Sequence, residues 1–117
     1  MTTTQVAGRL VELCRAQDIF TAQKELYAEH IVSVEPAGAP VPRAEGIQAV
    51  SEKGKQFAAM IEAHHGGSIS EPIVQGNFFT LGWKMDVTMK GMGRRNLEEV
   101  CVYKVENGKI VYEEFFY

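Results

Sequence analysis

The fold is decided by residues 79–89, which read FTLGWKMDVTM. Every second side chain in this stretch is apolar, and the side chains between them are mostly small, polar or charged. A period of two residues is typical of a β-strand with one buried face. Asp86 alternates away from the apolar side chains, so we expect it on the outer face, paired with Lys84 or Lys104.

More strands follow to the C-terminus. Leu97 to Val105 runs back along the first strand, and Ile110 to Tyr117 is the last strand. The Asn-Gly pair at 107–108 favours a type I′ hairpin between them. A shorter strand, Ile69 to Val74, precedes the long one, and its Pro72 suggests a position at the edge of the sheet.

The first half of the sequence is mainly helical. Val6, Leu10 and Cys14 recur at the spacing of one helix face, and Asp18 is a plausible cap for a second helix that continues to Leu26 and Tyr27. A β-branched stretch at 31–35 then predicts a strand, which the proline-rich loop at 36–42 ends.

The third predicted helix runs from about Glu45 to His65. Its apolar face includes Phe57 and His64, and the glycines at 66–67 are expected to end it. Helices that precede a strand meander indicate an α+β domain with a mainly antiparallel sheet, here one domain over residues 1–117.

Composition narrows the class of protein. Among 117 residues, 45% are hydrophobic and 23% are charged, which is typical of one globular domain. The net charge of −3 argues against nucleic acid or an anionic membrane as a partner. Cys14 and Cys101 form no CxxC pair, so we expect reduced packing residues, no metal site and a cytoplasmic protein.

Both faces of the last two predicted strands are partly apolar. Strict alternation would place Val111 on the same face as Glu113, Phe115 and Tyr117, and Ile110 on the opposite face. A sheet with a core on one side and a partner subunit on the other explains two apolar faces. We therefore expect a homodimer that forms through the outer sheet face.

The order of these motifs resembles the SnoaL-like group, within the superfamily of nuclear transport factor 2, ketosteroid isomerase and polyketide cyclases. The resemblance rests on LYAEH at 26–30, VEPAG at 34–38 and the sequence from Glu98 to Tyr117. It covers nearly the whole chain. The fold hosts several activities, so the resemblance is specific for fold and not for reaction.

The resemblance implies a cone-shaped α+β barrel with an apolar pocket at its wide end. It places Glu35 where ketosteroid isomerase has its general base. The tyrosine that donates to the oxyanion in the isomerase corresponds to a position near Leu10, and the second donor to a position near Cys101. The isomerase oxyanion hole is therefore not expected in that form. Nor do the concave positions include the arginine that epoxide hydrolases of this fold use.

The resulting hypothesis is a cofactor-free enzyme of the isomerase, cyclase or hydratase type, acting on a small hydrophobic carbonyl compound. Glu35 would abstract a proton, and a second group would stabilise the enolate oxygen. The alternative is a non-catalytic ligand-binding or dimeric interaction protein. The candidate catalytic residues are Glu35, Glu99, Glu113, Tyr103 and His64, and the candidate pocket lining is Trp83, Met85, Phe57, Cys101, Phe115 and Tyr117.

Structural roles are alternatives for the same residues. Glu35 would then pair with Arg43 across the proline loop, and Glu99 with Arg94 or Arg95 or with a buried tyrosine. Glu113 would be a hydrogen-bonded core acid that fixes the last strand, and His64 a satisfied histidine at the end of a helix. Trp83, Met85 and Met89 would be core residues. A buried Tyr103 needs a hydroxyl partner under either interpretation.

Overall fold

The computed structural model describes all 117 residues and contains three helices and seven strands. The helices are α1 (Thr3–Arg15), α2 (Ile19–Leu26) and α3 (Ile47–Met60). The strands are β1 (Tyr27–Val34), β2 (Arg43–Glu45), β3 (Ile61–Ile69), β4 (Ile73–Gln75), β5 (Phe78–Met89), β6 (Gly93–Glu106) and β7 (Lys109–Phe116).

All seven strands form one curled sheet in the order β2-β1-β7-β6-β5-β3, and β4 also pairs with β5. Only β1 and β7 are parallel, and every other pair is antiparallel. The helices pack on the concave side of the sheet. This arrangement confirms the predicted α+β class with a mainly antiparallel sheet.

The N-terminal helices are fixed by caps and by one apolar core. Thr2 and Gln5 form a reciprocal capping box at the start of α1, and Asp18 caps α2 by accepting a hydrogen bond from the Thr21 amide, as predicted. The buried faces of both helices meet the inner sheet face in a single cluster, whose fully buried members include Leu10, Leu26, Ile31, Phe79 and Tyr103.

The third helix is shorter than predicted. It ends at Met60, and the residues expected to complete it form β3, which pairs with β5. The glycine at 67 does not end a helix; a Cβ atom there would lie 2.2 Å from the carbonyl oxygen of Lys84. Gly67 therefore permits close approach of two strands, and this long-range pairing overrides the local helical periodicity.

Other strand bounds also differ from the prediction. β1 begins at Tyr27, four residues before the expected start, and the short strand β2 was not predicted. The expected strand at 69–74 is divided, because Ile69 ends β3 and a separate edge strand begins at Ile73. The hairpin at 107–108 is confirmed, since Asn107 and Gly108 both have positive φ as a type I′ turn requires.

A β-bulge changes the faces of the last strand. The pairing of β6 with β7 shifts between Lys104 and Val105, so that Val105 pairs with Ile110 while Tyr103 pairs with Glu113. Ile110 and Glu113 are both buried on the inner face. Strict alternation wrongly separated these two residues, because one extra residue in a bulge reverses the faces before it.

The outer sheet face carries Asp86, as predicted. Its partner is Arg94, whose Nε and Nη2 donate at 2.9 and 2.8 Å to the two carboxylate oxygens, and not either of the expected lysines. Both cysteines are free and buried, in agreement with packing roles. No helix has the length and apolar character needed to cross a membrane.

Candidate functional site

The candidate site lies where Lys53 of α3 contacts Glu35 and the ring of Phe115, and we call the region between this helix and the inner face of the sheet the cleft. The inner-face side chains at one end of the sheet are only half-buried, namely Trp83, Met85, Leu97, Glu99 and Phe115. Phe57 is on the same face of α3 as Val50 and Lys53 but remains 41% exposed. The apolar side chains at this end are therefore not fully packed against each other and remain partly accessible to solvent.

Glu35 follows β1 directly and accepts two hydrogen bonds at the mouth of the cleft. Lys53 Nζ donates to Oε2 at 2.9 Å, and the Tyr117 hydroxyl donates to Oε1 at 2.8 Å. The expected alternative partner, Arg43, instead pairs with Glu45 at 3.1 Å. The pairing with Arg43 is therefore wrong, and the cation beside Glu35 comes from α3.

Lys53 also connects this carboxylate to a buried one. Its Nζ donates to Ser33 Oγ at 2.5 Å, and that hydroxyl donates to Glu113 Oε2 at 2.6 Å. The Tyr27 hydroxyl donates to the other oxygen of Glu113. Burial raises the pKa of Glu113, and the bonds from Ser33 and Tyr27 oppose that rise. Glu113 is thus a fully bonded core acid, which is the structural alternative for this residue.

Glu99 differs from the other two acids. Its only hydrogen bond within the chain comes from the Cys101 thiol, with Sγ 3.6 Å from Oε1. Burial, and next the nearby charge of Glu35, raise the pKa of Glu99 to about 7. Neither expected arginine pairs with it, because Arg94 binds Asp86 and Arg95 donates to a backbone carbonyl. Glu99 is therefore partly protonated at neutral pH and free to bond a ligand.

Two predicted catalytic residues are not placed as expected. Tyr103 is 1% exposed and stacks on Phe79 at 4.7 Å between ring centres, so it lies in the core beneath Phe115. His64 is on β3 with an exposed side chain, opposite Val87, and not at the end of a helix facing the cleft. The structure thus groups Glu35, Glu99 and Glu113 without His64.

The predicted lining residues are divided between cleft and core. Cys101 is completely buried, and burial raises the pKa of its thiol. Phe115 is half-buried with Lys53 Nζ 5.2 Å from its ring centre. Tyr117 is 65% exposed as a residue, but desolvation of its hydroxyl raises the pKa of that group, and the hydrogen bond to Glu35 raises it further.

Sequence reasoning missed Lys53, Ser33 and Tyr27. Lys53 lies three residues after Val50 and four before Phe57, so it is a lone cation on the predicted apolar face of the helix. A charged residue among apolar side chains on one helix face is the signal that could have identified Lys53 as a functional residue. Ser33 and Tyr27 offered no such signal, because their role depends on the pairing of β1 with β7.

Two other clefts lie outside the cone. One of about 480 Å³ is lined by residues 1–3 and the turn between β6 and β7, and one of about 500 Å³ lies between α1 and Glu71. Neither includes Glu35 or Glu99. No three His, Cys, Asp or Glu side chains are arranged to hold a metal ion.

Comparisons with known proteins agree with this fold. A solved structure from Mesorhizobium loti, named as a candidate SnoaL-like polyketide cyclase, is 36% identical and covers 100% of both chains with a TM-score of 0.94. An NTF2-like protein from Burkholderia pseudomallei is 20% identical, with a TM-score of 0.81 over 100% of this chain and 92% of that one.

A third structure, from Catenulispora acidiphila, has a ketosteroid isomerase-like fold and was solved in complex with trimethylamine. It is 17% identical, with a TM-score of 0.76 over 99% of this chain and 87% of that one. None of the curated proteins compared with the sequence matches it.

The family model described as the SnoaL-like domain matches residues 1–117, which is the whole length of the described structure. The chain therefore belongs to the SnoaL-like family.

Proposed function

We propose that this protein is a small-molecule enzyme of the isomerase, cyclase or hydratase type, which moves a proton next to a carbonyl group of a small hydrophobic compound. The observation that carries the proposal is a pair of carboxyl groups in one cleft with different surroundings. Glu35 is held by a cation and a phenol, whereas Glu99 has only a thiol partner.

The two carboxyl groups suit different roles. Glu35 accepts hydrogen bonds from Lys53 and Tyr117 and is our candidate for the base. Glu99, with a pKa of about 7, is protonated in a large fraction of molecules and can donate a hydrogen bond to the carbonyl oxygen. A carboxyl group with a pKa near 7 beside a second carboxyl group that can act as a base suits acid–base catalysis near neutral pH.

Family membership supports the general class of small-molecule enzyme. A relative that is 36% identical over its whole length carries the name of a candidate polyketide cyclase. That name belongs to the relative, and the fold also hosts proteins with other activities. The reaction and the small carbonyl substrate proposed for this chain therefore depend on the residues of its own cleft.

The alternative is a non-catalytic binding or interaction protein of the same fold. It is favoured by one observation, namely that both oxygens of Glu35 already accept hydrogen bonds from the chain. A ligand would have to share or replace one of them. Under this alternative the group formed by Glu35, Lys53 and Tyr117 only joins α3 to the last strand.

We also propose that the protein is a homodimer formed through the outer sheet face. Val100 and Phe116 are paired neighbours on this face and are 50% and 49% exposed, and Phe78 on the same face is 50% exposed. An apolar surface of this kind is typical of an interface.

Hydrogen–deuterium exchange tests the proposed chemistry without knowledge of the product. A panel of small enolisable ketones is incubated with the protein in D₂O, and loss of the α-proton signal is followed by NMR. We expect the wild-type protein to accelerate exchange for some member of the panel, and Glu35→Gln to abolish the acceleration. Glu45→Gln, at an exposed pair with Arg43, is the matched control.

Undiminished exchange by Glu35→Gln would disprove the assigned base. Tight binding of panel members without any acceleration by the wild-type protein would favour the binding module instead.

A further inference from the structure

The ammonium group of Lys53 has a donor that the chain does not use. Nζ carries three protons, and only two acceptors within the chain receive them, Ser33 Oγ at 2.5 Å and Glu35 Oε2 at 2.9 Å. The side chain is 16% exposed, so part of it still faces open space. One charged donor is therefore available to an oxygen atom that enters the cleft.

The surroundings of this donor define the ligand that would suit it. Nζ lies 5.2 Å from the centre of the Phe115 ring, and Phe57 is one turn further along α3. The charge of Lys53 also acts on Glu99, whose pKa it lowers against the dominant effect of burial. A flat apolar body that carries an electron-rich oxygen would place that oxygen between Lys53 and Glu99.

Proton abstraction would move negative charge between two sites that Lys53 touches. When Glu35 takes a proton from a carbon atom, the C–H electron pair forms a carbon–carbon double bond, and the carbonyl π electrons move to the oxygen. Glu35 becomes neutral as the oxygen becomes an enolate, and return of the proton to another carbon completes an isomerisation. A cation next to both sites exchanges one anionic partner for another, so it stabilises the developing charge on the oxygen as the charge on Glu35 disappears.

The geometry points to Lys53 as a catalytic residue whose third ammonium proton binds the ligand oxygen that becomes negatively charged. This inference rests on the proposed role of Glu35 as the base. The cleft should therefore bind apolar molecules that carry an enolate-like or phenolate-like oxygen anion more tightly than their neutral isosteres. Lys53 transfers no proton in this step and needs no other reactant.

A coloured phenol tests this binding without turnover. 4-Nitrophenol changes its visible absorption when it ionises, and 4-nitroanisole is a neutral isostere of similar size. We expect the wild-type protein to bind the phenolate at least tenfold more tightly than the anisole, so that the bound dye ionises at a lower pH than the free dye. Lys53→Met should remove this preference without changing the affinity for the anisole.

Two further variants complete the design. Lys55→Met removes an exposed cation from the same helix and should leave the phenolate preference unchanged. Glu35→Gln should strengthen phenolate binding, because Lys53 then has no competing anionic partner. Melting curves and circular dichroism establish that each variant is folded.

The wild-type measurement alone can overturn the inference, whatever the variants do. Equal binding of the phenolate and the anisole, or binding of neither, contradicts it, as does an unchanged preference in Lys53→Met. Failure of the proposed function is a separate result, because exchange of ketone protons by Glu35→Gln would exclude the base and leave the phenolate preference intact.

Discussion

Lys53 Nζ lies 2.9 Å from Glu35 Oε2. Glu35 directly follows β1, whereas Lys53 is on α3, and the proline-rich loop and β2 separate them in the sequence. The loop is closed by a backbone bond from the Glu35 amide to the Pro42 carbonyl at 2.8 Å, which returns the chain so that α3 crosses the inner face. This contact joins the half-buried carboxylate of Glu35 to the buried Glu113 through one ammonium group and Ser33.

Removal of the Tyr27 hydroxyl should destabilise the fold. Tyr27→Phe leaves one oxygen of the buried Glu113 without its donor, which costs about 1–3 kcal/mol in the free energy of unfolding. Tyr112→Phe is the matched control, since it removes a bond to Glu114 on the outer face and should cost about 1 kcal/mol or less. Urea denaturation compares the two, and equal losses would show that Glu113 does not depend on Tyr27.

The ionisation of Glu99 should lower the free energy of unfolding as the pH rises. Its pKa is about 7 in the folded chain against 4.5 for the free group, so folding favours the protonated form. The resulting stability is fully present below pH 4.5 and is lost as the pH rises through 7. Glu99→Gln cannot ionise, so we expect its free energy of unfolding relative to wild type to increase between pH 5 and pH 8. With a discount for partial exposure, the increase is on the order of 2 kcal/mol.

Glu98→Gln is the control for that measurement. Glu98 is the exposed neighbour on the outer face and pairs with Lys84 at 3.4 Å. A stability difference between Glu99→Gln and wild type that stays constant from pH 5 to pH 8 would contradict the raised pKa.

Catalysed ketone exchange should decrease as the pH rises through about 7. Protonated Glu99 donates to the developing enolate oxygen, and its ionisation both removes that donor and adds a negative charge. Glu99→Gln keeps an N–H donor at every pH, so we expect it to retain exchange and to lose the decrease above pH 7. A rate that instead rises through pH 7 in the wild-type protein, and disappears in Glu99→Gln, would make Glu99 the base.

Charge on the outer sheet face should prevent dimerisation. Val100→Lys places an ammonium group beside Phe116 at the centre of the proposed interface, and we expect a monomer of 13.0 kDa by light scattering. Met92→Lys, at an equally exposed position in the turn between β5 and β6, should leave the dimer intact. A wild-type protein that is already a monomer at micromolar concentration would contradict the dimer.

The parts of the fold that depend on local pattern could be predicted. Alternation in 79–89 identified the inner face of β5, and Asn107-Gly108 identified the last hairpin. The parts that were missed depend on distant pairing. In the sequence alone, Gly67 is typical of a helix C-terminus, and only the pairing with the backbone of Lys84 shows that it lies in a strand. Likewise, a bulge that local alternation does not reveal places Ile110 on the inner face.

The same division applies to the site. Glu35 and Glu99 could be placed on the inner side from residue type, alternation and resemblance, but the partners of Glu35 could not. Lys53 meets Glu35 only after α3 has crossed the sheet, and His64 was misplaced with the helix end. Chemistry that one strand presents is therefore more predictable than chemistry assembled between a helix and a sheet.

The most direct test of the account is a ¹³C NMR titration of the glutamate side-chain carboxyl groups in the wild-type protein and in Glu35→Gln. We expect Glu99 to titrate near pH 7 in the wild-type protein and at a lower pH in Glu35→Gln, because the variant removes the neighbouring negative charge. A Glu99 that titrates at its ordinary value of 4.5 in both proteins would show that its carboxyl group is neither desolvated nor close to the charge of Glu35.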